Sequence, residues 1–292
     1  MNSFTNGSEY NKLNVALVQN IFPTQNDLDK DPFLQTRENK SKSHSHLSDL
    51  FQMLLKAFKT QKKIVQKFKS INLIVFPELS ITHSDLSAVE RFADQMNCMV
   101  FCGTVFHSHP EDISKKVNTG MWIIPQRTEQ HRSFIRLLQG KKHLTKDELK
   151  YGISPYRPVQ WLIRGNVDNK TLWSLSAAMC YDSTDIKLAA DLRDITDCFI
   201  VSAFNKDIGV FDTMAESMRY HMFGHIAIAN CGMYGGSTVQ APYKEAHERI
   251  IVHSHGNMQA SISLATLDLR KFSKIEDDRI KTPPAGYSGR YQ

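Results

Sequence analysis

The hydrophobic pattern of the first half alternates between strand-like and helix-like segments. The run LNVALVQN (13–20) has four consecutive apolar residues, which is typical of a strand buried on both faces. The polar segment 21–45, rich in Asp, Asn, Ser and Lys, predicts a loop or insertion. Apolar residues at helical spacing then predict a helix over 47–69 with one apolar stripe, and the strand INLIVF (71–76) follows it directly.

The same alternation continues to residue 269 and predicts a layered α/β architecture. Helices are predicted at 86–96, near 184–194 and near 212–223, and the stretch 127–170 is basic and less regular. The remaining strand-like runs are CMVFCGTVF (98–106), GMWIIP (120–125), LWSLSAAMC (172–180), DCFIVSA (197–203), HIAIAN (225–230), GSTVQAP (236–242), ERIIVHS (248–254) and MQASISLATLDL (258–269).

Length and composition agree with one large domain. The 292 residues include 41% hydrophobic ones, enough to fill a sizeable core, which excludes disorder of the whole chain. We expect a polar lead over 1–12, a domain over 13–271 with an insertion at about 21–45, and a tail over 272–292. The tail is expected to need a partner surface to become ordered.

The same features argue against a membrane or secreted protein. The longest apolar runs are well short of the roughly 18 to 20 residues that cross a bilayer. The first eleven residues are polar and lack the apolar core of a signal peptide. Five cysteines are an odd number spread over a long chain, which does not indicate a disulfide framework. We therefore expect a cytoplasmic protein with reduced thiols and no membrane association.

The net charge of +6 is unevenly distributed along the chain. The segment LLKAFKTQKKIVQKFKS (54–70) carries six lysines and no acidic residue. Such a run can bind phosphate groups, but it is more often the solvated face of a helix. A nucleic-acid partner is possible on this pattern but not favoured.

Three reactive residues occur at or between predicted strand ends. Glu78 follows LIVFP, Cys180 ends WSLSAAMC, and Lys141 lies between them in GKKHL. Side chains at the carboxyl ends of strands in α/β sheets converge on one rim. A thiolate attacks a carbonyl or nitrile carbon, a carboxylate carries the proton, and an ammonium stabilises the oxyanion. Together these residues predict acyl-transfer chemistry.

The motifs VFPEL (75–79), KKHL (141–144) and AAMCYD (177–182) resemble, in this order, those of the nitrilase superfamily of carbon–nitrogen hydrolases. The separations of 63 residues from Glu78 to Lys141 and 39 from there to Cys180 also suit that family. Weaker matches are NVALVQ, VNTGMWIIP and IANCGMYGGSTVQAP, so the resemblance extends over about residues 13–270.

The resemblance implies a four-layer α-β-β-α sandwich and a cofactor-independent enzyme without a catalytic metal. It gives Glu78 the role of general base, Cys180 that of nucleophile and Lys141 that of oxyanion stabiliser. Glu148 is the nearest candidate for a second glutamate that orients the lysine and the substrate. The main-chain N–H of Tyr181 would be a second oxyanion donor.

The resemblance also implies a small amide-type substrate and a homodimer or larger oligomer, with the C-terminal tail crossing to a neighbour. Asp182 is expected to anchor its turn and not to take part in the chemistry. The sequence STDIKLAADL (183–192) departs from the family's usual continuation after Cys-Tyr-Asp, which predicts an altered elbow after the nucleophile.

Three functions remain open on the sequence. The first is hydrolysis of a non-peptide C–N bond through a cysteine thioester, with an amide favoured over a nitrile. The second is N-acyl transfer from the same thioester to an amine. The third is a nitrilase-like module for assembly or nucleic-acid-associated work with little catalysis, as occurs in some antiviral reverse transcriptases.

The twelve histidines include three His-Ser-His triplets, at 44–46, 107–109 and 253–255. His221 and His225 have the i, i+4 spacing with which two histidines on a helix share a metal. No carboxylate or cysteine accompanies this pair at ligand spacing, so we expect no metal site and exposed loop or strand-edge histidines. The pair Cys98 and Cys102 is expected to contribute to strand packing.

Overall fold

The computed structural model describes residues 11–127, 131–167, 170–273 and 280–290, so most of the predicted polar lead lies outside the described residues. Within these ranges no helix combines the length and the apolar character needed to cross a bilayer.

Strands and helices alternate along the chain as the hydrophobic pattern predicts. The strands are β1 (Lys12–Gln19), β2 (Leu73–Val75), β3 (Met99–Gly103), β4 (His107–Ser108), β5 (Lys116–Val117), β6 (Thr119–Arg127), β7 (Arg132–Gly140), β8 (Leu162–Val167), β9 (Lys170–Met179), β10 (Cys198–Ser202), β11 (His225–Ala229), β12 (Ser237–Gln240), β13 (Ile250–Ser254) and β14 (Ser261–Asp268). The α-helices are α1 (Gln25–Lys30), α2 (Arg37–Ile64), α3 (Leu86–Met96), α4 (Lys146–Lys150), α5 (Ile186–Leu192), α6 (Ile208–His221) and α7 (Ala246–Arg249).

Two six-stranded sheets of similar design form the centre of the molecule. The first has the order β14-β1-β2-β3-β6-β7 and the second β13-β12-β11-β10-β9-β8. In the first sheet β1, β2 and β3 run parallel, and in the second β9, β10 and β11 do. The outer strands of both sheets pair antiparallel. Parallel strands covered on both faces are continuously apolar, which explains the uninterrupted runs of the sequence.

The sheets pack face to face, and helices cover their outer faces. Side chains of both sheets, among them Phe101 and Trp122 of the first and Leu175 and Ile200 of the second, form the buried interface. The outer core of the first sheet contains α2 and α3 side chains, and that of the second sheet contains α5 and α6 side chains. The four-layer α-β-β-α sandwich is confirmed.

The prediction of a loop over 21–45 was wrong. The segment contains α1 and the beginning of α2, which starts at Arg37 and not at 47. The Thr36 side chain accepts a hydrogen bond from the Asn39 main-chain N–H at the N-terminus of α2, and Ser43 donates to Asp85 over 2.9 Å. Hydrogen bonds at the helix cap and between buried polar side chains stabilise this part of the helix. Few apolar residues recur here at helical spacing, so the hydrophobic pattern did not reveal it.

The stretch 127–170 is more regular than predicted. It contains β7, α4 and β8. Strand β7 pairs only with β6 and lies at the edge of its sheet, with several exposed polar side chains, so its sequence lacks the apolar run of a central strand. The six lysines of 54–70 are all exposed, but α2 ends at Ile64 and not at 69, so four of them lie on the helix while Lys67 and Lys69 follow it.

The predictions for the paired histidines and cysteines had different outcomes. His221 ends α6 whereas His225 begins β11, so the two are not on one helix. His225 is also buried, contrary to the expected exposure, and this burial lowers its pKa to about 3. Cys98 and Cys102 are buried beside or in β3, which confirms their role in strand packing.

Residues 280–290 of the predicted tail pack on their own chain. The buried Arg290 pairs with buried Asp197 over 3.4 Å and donates to the main-chain oxygen of Phe223 over 3.0 Å. The Tyr287 hydroxyl donates to the main-chain oxygen of Phe272 over 2.8 Å. This part of the tail therefore finds a packing surface on its own chain, and the expected crossing to a neighbouring subunit stays a prediction.

Candidate active site

Glu78 lies where the two sheets meet beyond the end of β2. The Ser202 hydroxyl, at the end of β10, donates to the main-chain oxygen of Phe76 over 2.9 Å, and the Glu78 N–H donates to the Ala203 oxygen over 3.3 Å. A Cβ at Gly103 would overlap the Glu78 Cα, so this close approach of β3 requires glycine. These contacts fix the backbone that carries the carboxylate.

Cys180 follows β9 and begins a 3-10 helix (Cys180–Thr184). Its φ of +39° lies in the left-handed region, which is uncommon for a residue with a side chain and recurs at functional sites. The Ser183 hydroxyl donates to the Cys180 main-chain oxygen over 2.6 Å and supports this turn. Against the larger effect of burial, the thiol lowers the pKa of the Glu78 carboxylate, with which it interacts, and the main-chain N–H of Phe204 in turn lowers the pKa of the thiol.

Lys141 follows β7 and is almost completely buried. Its Nζ donates to Glu78 Oε1 over 2.8 Å and to Glu148 Oε2 over 2.7 Å. The Tyr156 N–H donates to the Lys141 main-chain oxygen over 2.8 Å, and a Cβ at the preceding Gly140 would overlap the Tyr156 oxygen. A buried ammonium is stable only when it is paired and hydrogen-bonded, and two carboxylates meet that requirement here.

Glu148 is held by the N-terminus of its own helix. It lies in α4 and forms a capping box with Thr145, whose N–H donates to Glu148 Oε2 over 2.8 Å. Asn118, between β5 and β6, donates from Nδ2 to Glu148 Oε1 over 2.6 Å and to Glu78 Oε1 over 2.8 Å. Asn118 was not predicted as a site residue, although VNTGMWIIP places this asparagine just before an apolar strand.

Asp182 connects the cysteine turn to the lysine loop. It is buried and accepts hydrogen bonds from the main-chain N–H groups of Lys142 over 2.9 Å and His143 over 2.6 Å. The Arg157 guanidinium pairs with it over 3.0 Å. Asp182 therefore fixes the positions of Cys180 and Lys141 relative to each other, in agreement with the anchoring role expected from the sequence.

Burial and mutual charge determine the protonation of the cluster. Burial raises the pKa of Glu78, and the Lys141 ammonium opposes this only in part. Burial lowers the pKa of Lys141, but Glu78, Cys180 and Glu148 together raise it above the ordinary lysine value. Burial raises the pKa of Glu148, and Lys141 with several hydrogen bonds outweighs this, so that pKa is lowered. Burial and Glu78 raise the pKa of the Cys180 thiol.

With these pKa shifts Lys141 is cationic, Glu148 is anionic and the Cys180 thiol is neutral. The thiol lies beside Glu78, the more easily protonated of the two carboxylates. The arrangement is suited to proton exchange between Cys180 and Glu78, because the two side chains interact and line the same cavity. The cationic lysine can stabilise negative charge on a bound oxygen without any change in its own protonation.

The cluster opens onto a cavity of about 300 Å³. Glu78, Lys141, Glu148 and Cys180 all line it. Tyr181 lines it as well, and its side chain is about half exposed. The structure thus brings together the five residues that the sequence singled out. Aromatic side chains form much of the remaining wall, namely Phe106, Tyr151, Phe204, Phe211 and Tyr234.

Comparisons with known proteins relate the fold to solved structures. No protein-family model matches the chain, and no curated protein matches it by sequence. Nit3 of Saccharomyces cerevisiae, a member of branch 10 of the nitrilase superfamily, is 17% identical and aligns over 88% of this chain and 90% of its own with a TM-score of 0.63. A CN-hydrolase superfamily protein of Xanthomonas campestris, with an arsenic adduct in its active site, is 12% identical. It aligns over 87% of this chain and 90% of its own with a TM-score of 0.57.

An amidase of Nesterenkonia sp. AN1 is also similar. Its Glu→Gln variant, which carries the acetamide moiety of fluoroacetamide on the active-site cysteine, is 13% identical over 87% of this chain and 89% of its own, with a TM-score of 0.59. All three alignments extend over most of both chains. They agree with the two-sheet architecture and with the resemblance of the three sequence motifs. The protein has the fold of the nitrilase superfamily.

Proposed function

We propose that the protein is a carbon–nitrogen hydrolase that cleaves an amide through a cysteine thioester. The observation that carries the proposal is the buried Lys141 ammonium between Glu78 and Glu148, with the Cys180 thiol beside it on a cavity. Burying three charged groups costs free energy, and their arrangement is the one needed to bring base, nucleophile and oxyanion stabiliser together.

In the first half-reaction Glu78 takes the thiol proton as Cys180 Sγ attacks the amide carbon. The carbonyl π electrons move to oxygen, where the Lys141 ammonium and the Tyr181 main-chain N–H stabilise the oxyanion. Glu78 then gives its proton to the nitrogen as the C–N bond breaks. The products of this step are ammonia or an amine and the Cys180 thioester.

In the second half-reaction a water molecule replaces the departed amine. Glu78 takes a proton from the water as its oxygen attacks the thioester carbon, and the same donors stabilise the second oxyanion. The C–S bond breaks, Cys180 recovers its proton from Glu78, and a carboxylic acid leaves. Both half-reactions need a carboxylate that gains and loses a proton readily, which a raised Glu78 pKa favours.

The size and lining of the cavity favour a small amide with an apolar acyl group. About 300 Å³ with aromatic walls leaves room for a short acyl chain but not for a polypeptide. The covalent acetamide moiety on the cysteine of the similar Nesterenkonia amidase supports this size class. The description of that similar protein as an amidase favours an amide over a nitrile.

The test is turnover of a panel of short aliphatic and aromatic amides, with intact-mass detection of an acyl adduct. We expect ammonia release and an adduct on wild-type protein, and neither from Cys180→Ala, whose fold is checked by circular dichroism. Unchanged hydrolysis by Cys180→Ala would refute the mechanism.

The same experiment separates the alternatives from the sequence. N-acyl transfer would give an amide product only when an amine acceptor is added. A module with little catalysis would give no adduct with any amide, and salt-dependent binding of DNA or RNA would then favour nucleic-acid-associated work. A homodimer or larger oligomer remains a prediction, which light scattering of the purified chain tests.

A further inference from the structure

A second cluster of reactive side chains lies outside the cavity, at the edge of the second sheet. Asp212 is in α6, His253 is in β13, and His255 follows β13 directly. Each offers one atom able to bind a metal, and these atoms all lie within 4.8 Å of one another. Among the described residues, no other group of three or more His, Cys, Asp and Glu side chains is as close.

The third His-Ser-His triplet explains why the two histidines converge. Residues i and i+2 of an extended chain project to the same side, so His253 and His255 share a face while the serine between them faces away. Ser254 accordingly contacts the Ser263 hydroxyl over 2.6 Å, whereas the two imidazoles pack edge to face with ring centroids 4.2 Å apart. Asp212 meets them from the helix, with its Oδ1 3.0 Å from His253 Nε2.

An ordinary ion pair accounts for only part of this arrangement. Asp212 and His253 satisfy each other, but the exposed His255 ring hydrogen-bonds to none of the described residues and still lies within reach of both. A cation site requires a third ligand beside the carboxylate–imidazole pair, whereas a simple ion pair needs none.

We propose that Asp212, His253 and His255 bind a zinc ion. Zn–N and Zn–O bonds of about 2.0–2.1 Å in tetrahedral geometry place ligand atoms about 3.3 Å apart. Asp212 and His253 are already near that separation, and the exposed His255 side chain can rotate to reach it. Two neutral imidazole nitrogens and one carboxylate oxygen suit zinc better than magnesium or calcium, which prefer oxygen ligands only. Water would complete the fourth position.

This inference is independent of the proposed hydrolase function. Zinc would connect the beginning of α6 to the edge strand β13, and the neighbouring Phe211 lines the cavity. We therefore expect a structural site that stabilises α6 and thereby one wall of the cavity. Its binding can be measured without any substrate.

The test is a zinc titration of the chelator-treated full-length chain against a chromogenic chelator. We expect one equivalent of zinc per chain with micromolar or tighter affinity. His255→Gln keeps the Asp212–His253 pair and should weaken binding at least about tenfold, the lower end of the losses seen when even the supporting contacts of a metal site are removed. His247→Gln, a change at an exposed histidine in α7, is the matched control and should bind as wild type.

Two further readouts make the outcome unambiguous. Cobalt should give the visible absorption of a low-coordinate site in wild type and in His247→Gln but not in His255→Gln. The metal-free proteins should all melt at the same temperature, which separates lost binding from lost folding. Absence of zinc uptake, or equal affinity of wild type and His255→Gln, would overturn the proposal.

Discussion

Lys141 Nζ lies 2.8 Å from Glu78 Oε1, and both side chains are almost entirely buried. Because Glu148 lies on the other side at 2.7 Å, one ammonium pairs with two carboxylates in a single enclosed cluster. The lysine is therefore important both for the fold and for the proposed chemistry, and the following predictions separate the two roles.

Replacing Lys141 by Met should both destabilise the protein and strongly reduce turnover. The substitution leaves Glu78 and Glu148 without a counter-charge, and breaking a buried pair in this way costs about 3–5 kcal/mol. Loss of an oxyanion donor lowers kcat by about 10²–10³-fold. Urea unfolding and amide hydrolysis measure the two effects. The double variant Lys141→Met/Glu148→Gln should recover part of the stability but none of the activity; recovery of activity would contradict the assigned role.

The pH dependence of turnover should have an acidic limb above the ordinary glutamate range. Glu78 must be unprotonated to accept the thiol proton, and burial raises its pKa above 4.5. The negative charge of Glu148 raises it further. Glu148→Gln should therefore shift the acidic limb of kcat/KM to lower pH. A limb that does not move, or that moves to higher pH, would show that Glu78 is not the titrating base.

A methyl group at Gly103 should disturb the site without touching substrate. In Gly103→Ala the new Cβ would overlap the Glu78 Cα and lie 2.7 Å from the Pro77 oxygen. Such overpacking costs about 1–3 kcal/mol and displaces the carboxylate. Both the unfolding midpoint and kcat should fall. Gly209→Ala in α6 is the control, because its Cβ would meet no atom closer than 3.8 Å and should lower neither quantity.

The C-terminal segment should contribute to stability through one buried ion pair. Arg290→Ala leaves the buried Asp197 carboxylate without this partner, and we expect a loss of about 3–5 kcal/mol in the free energy of unfolding. Lys187→Ala removes the solvent-exposed pair with Asp191 and should leave the unfolding midpoint unchanged. Equal midpoints for wild type and Arg290→Ala would indicate that the tail is not docked in solution.

The sequence predicted most strongly those features that depend on continuous apolar runs and on residues at strand ends. Glu78 and Cys180 follow central strands that are buried on both faces, so their common location was accessible from pattern alone. Glu148 was harder to place by spacing, although Thr145 three residues before it is the signature of a capping box.

The features that the sequence did not predict depend on tertiary contacts. The beginning of α2 is stabilised by the Thr36 cap and by Ser43 bonded to Asp85, which no apolar periodicity reveals. Asn118 acquires its role only because β6 starts beside both glutamates. The tail packs on the rest of the chain through Arg290. Arginine is usually exposed unless it pairs with a buried acidic group.

The environment of the five thiols has a practical consequence. All five thiols are buried, and burial raises the pKa of each above its ordinary value, so neither property distinguishes one from another. Cys180 is the one cysteine that lines the cavity, where a small reagent can reach it and where the Glu78 carboxylate can accept its proton. Under native conditions a small alkylating reagent should therefore modify one sulfur per molecule, and the extent of labelling would count the competent sites in any preparation, including one for which no substrate has been found.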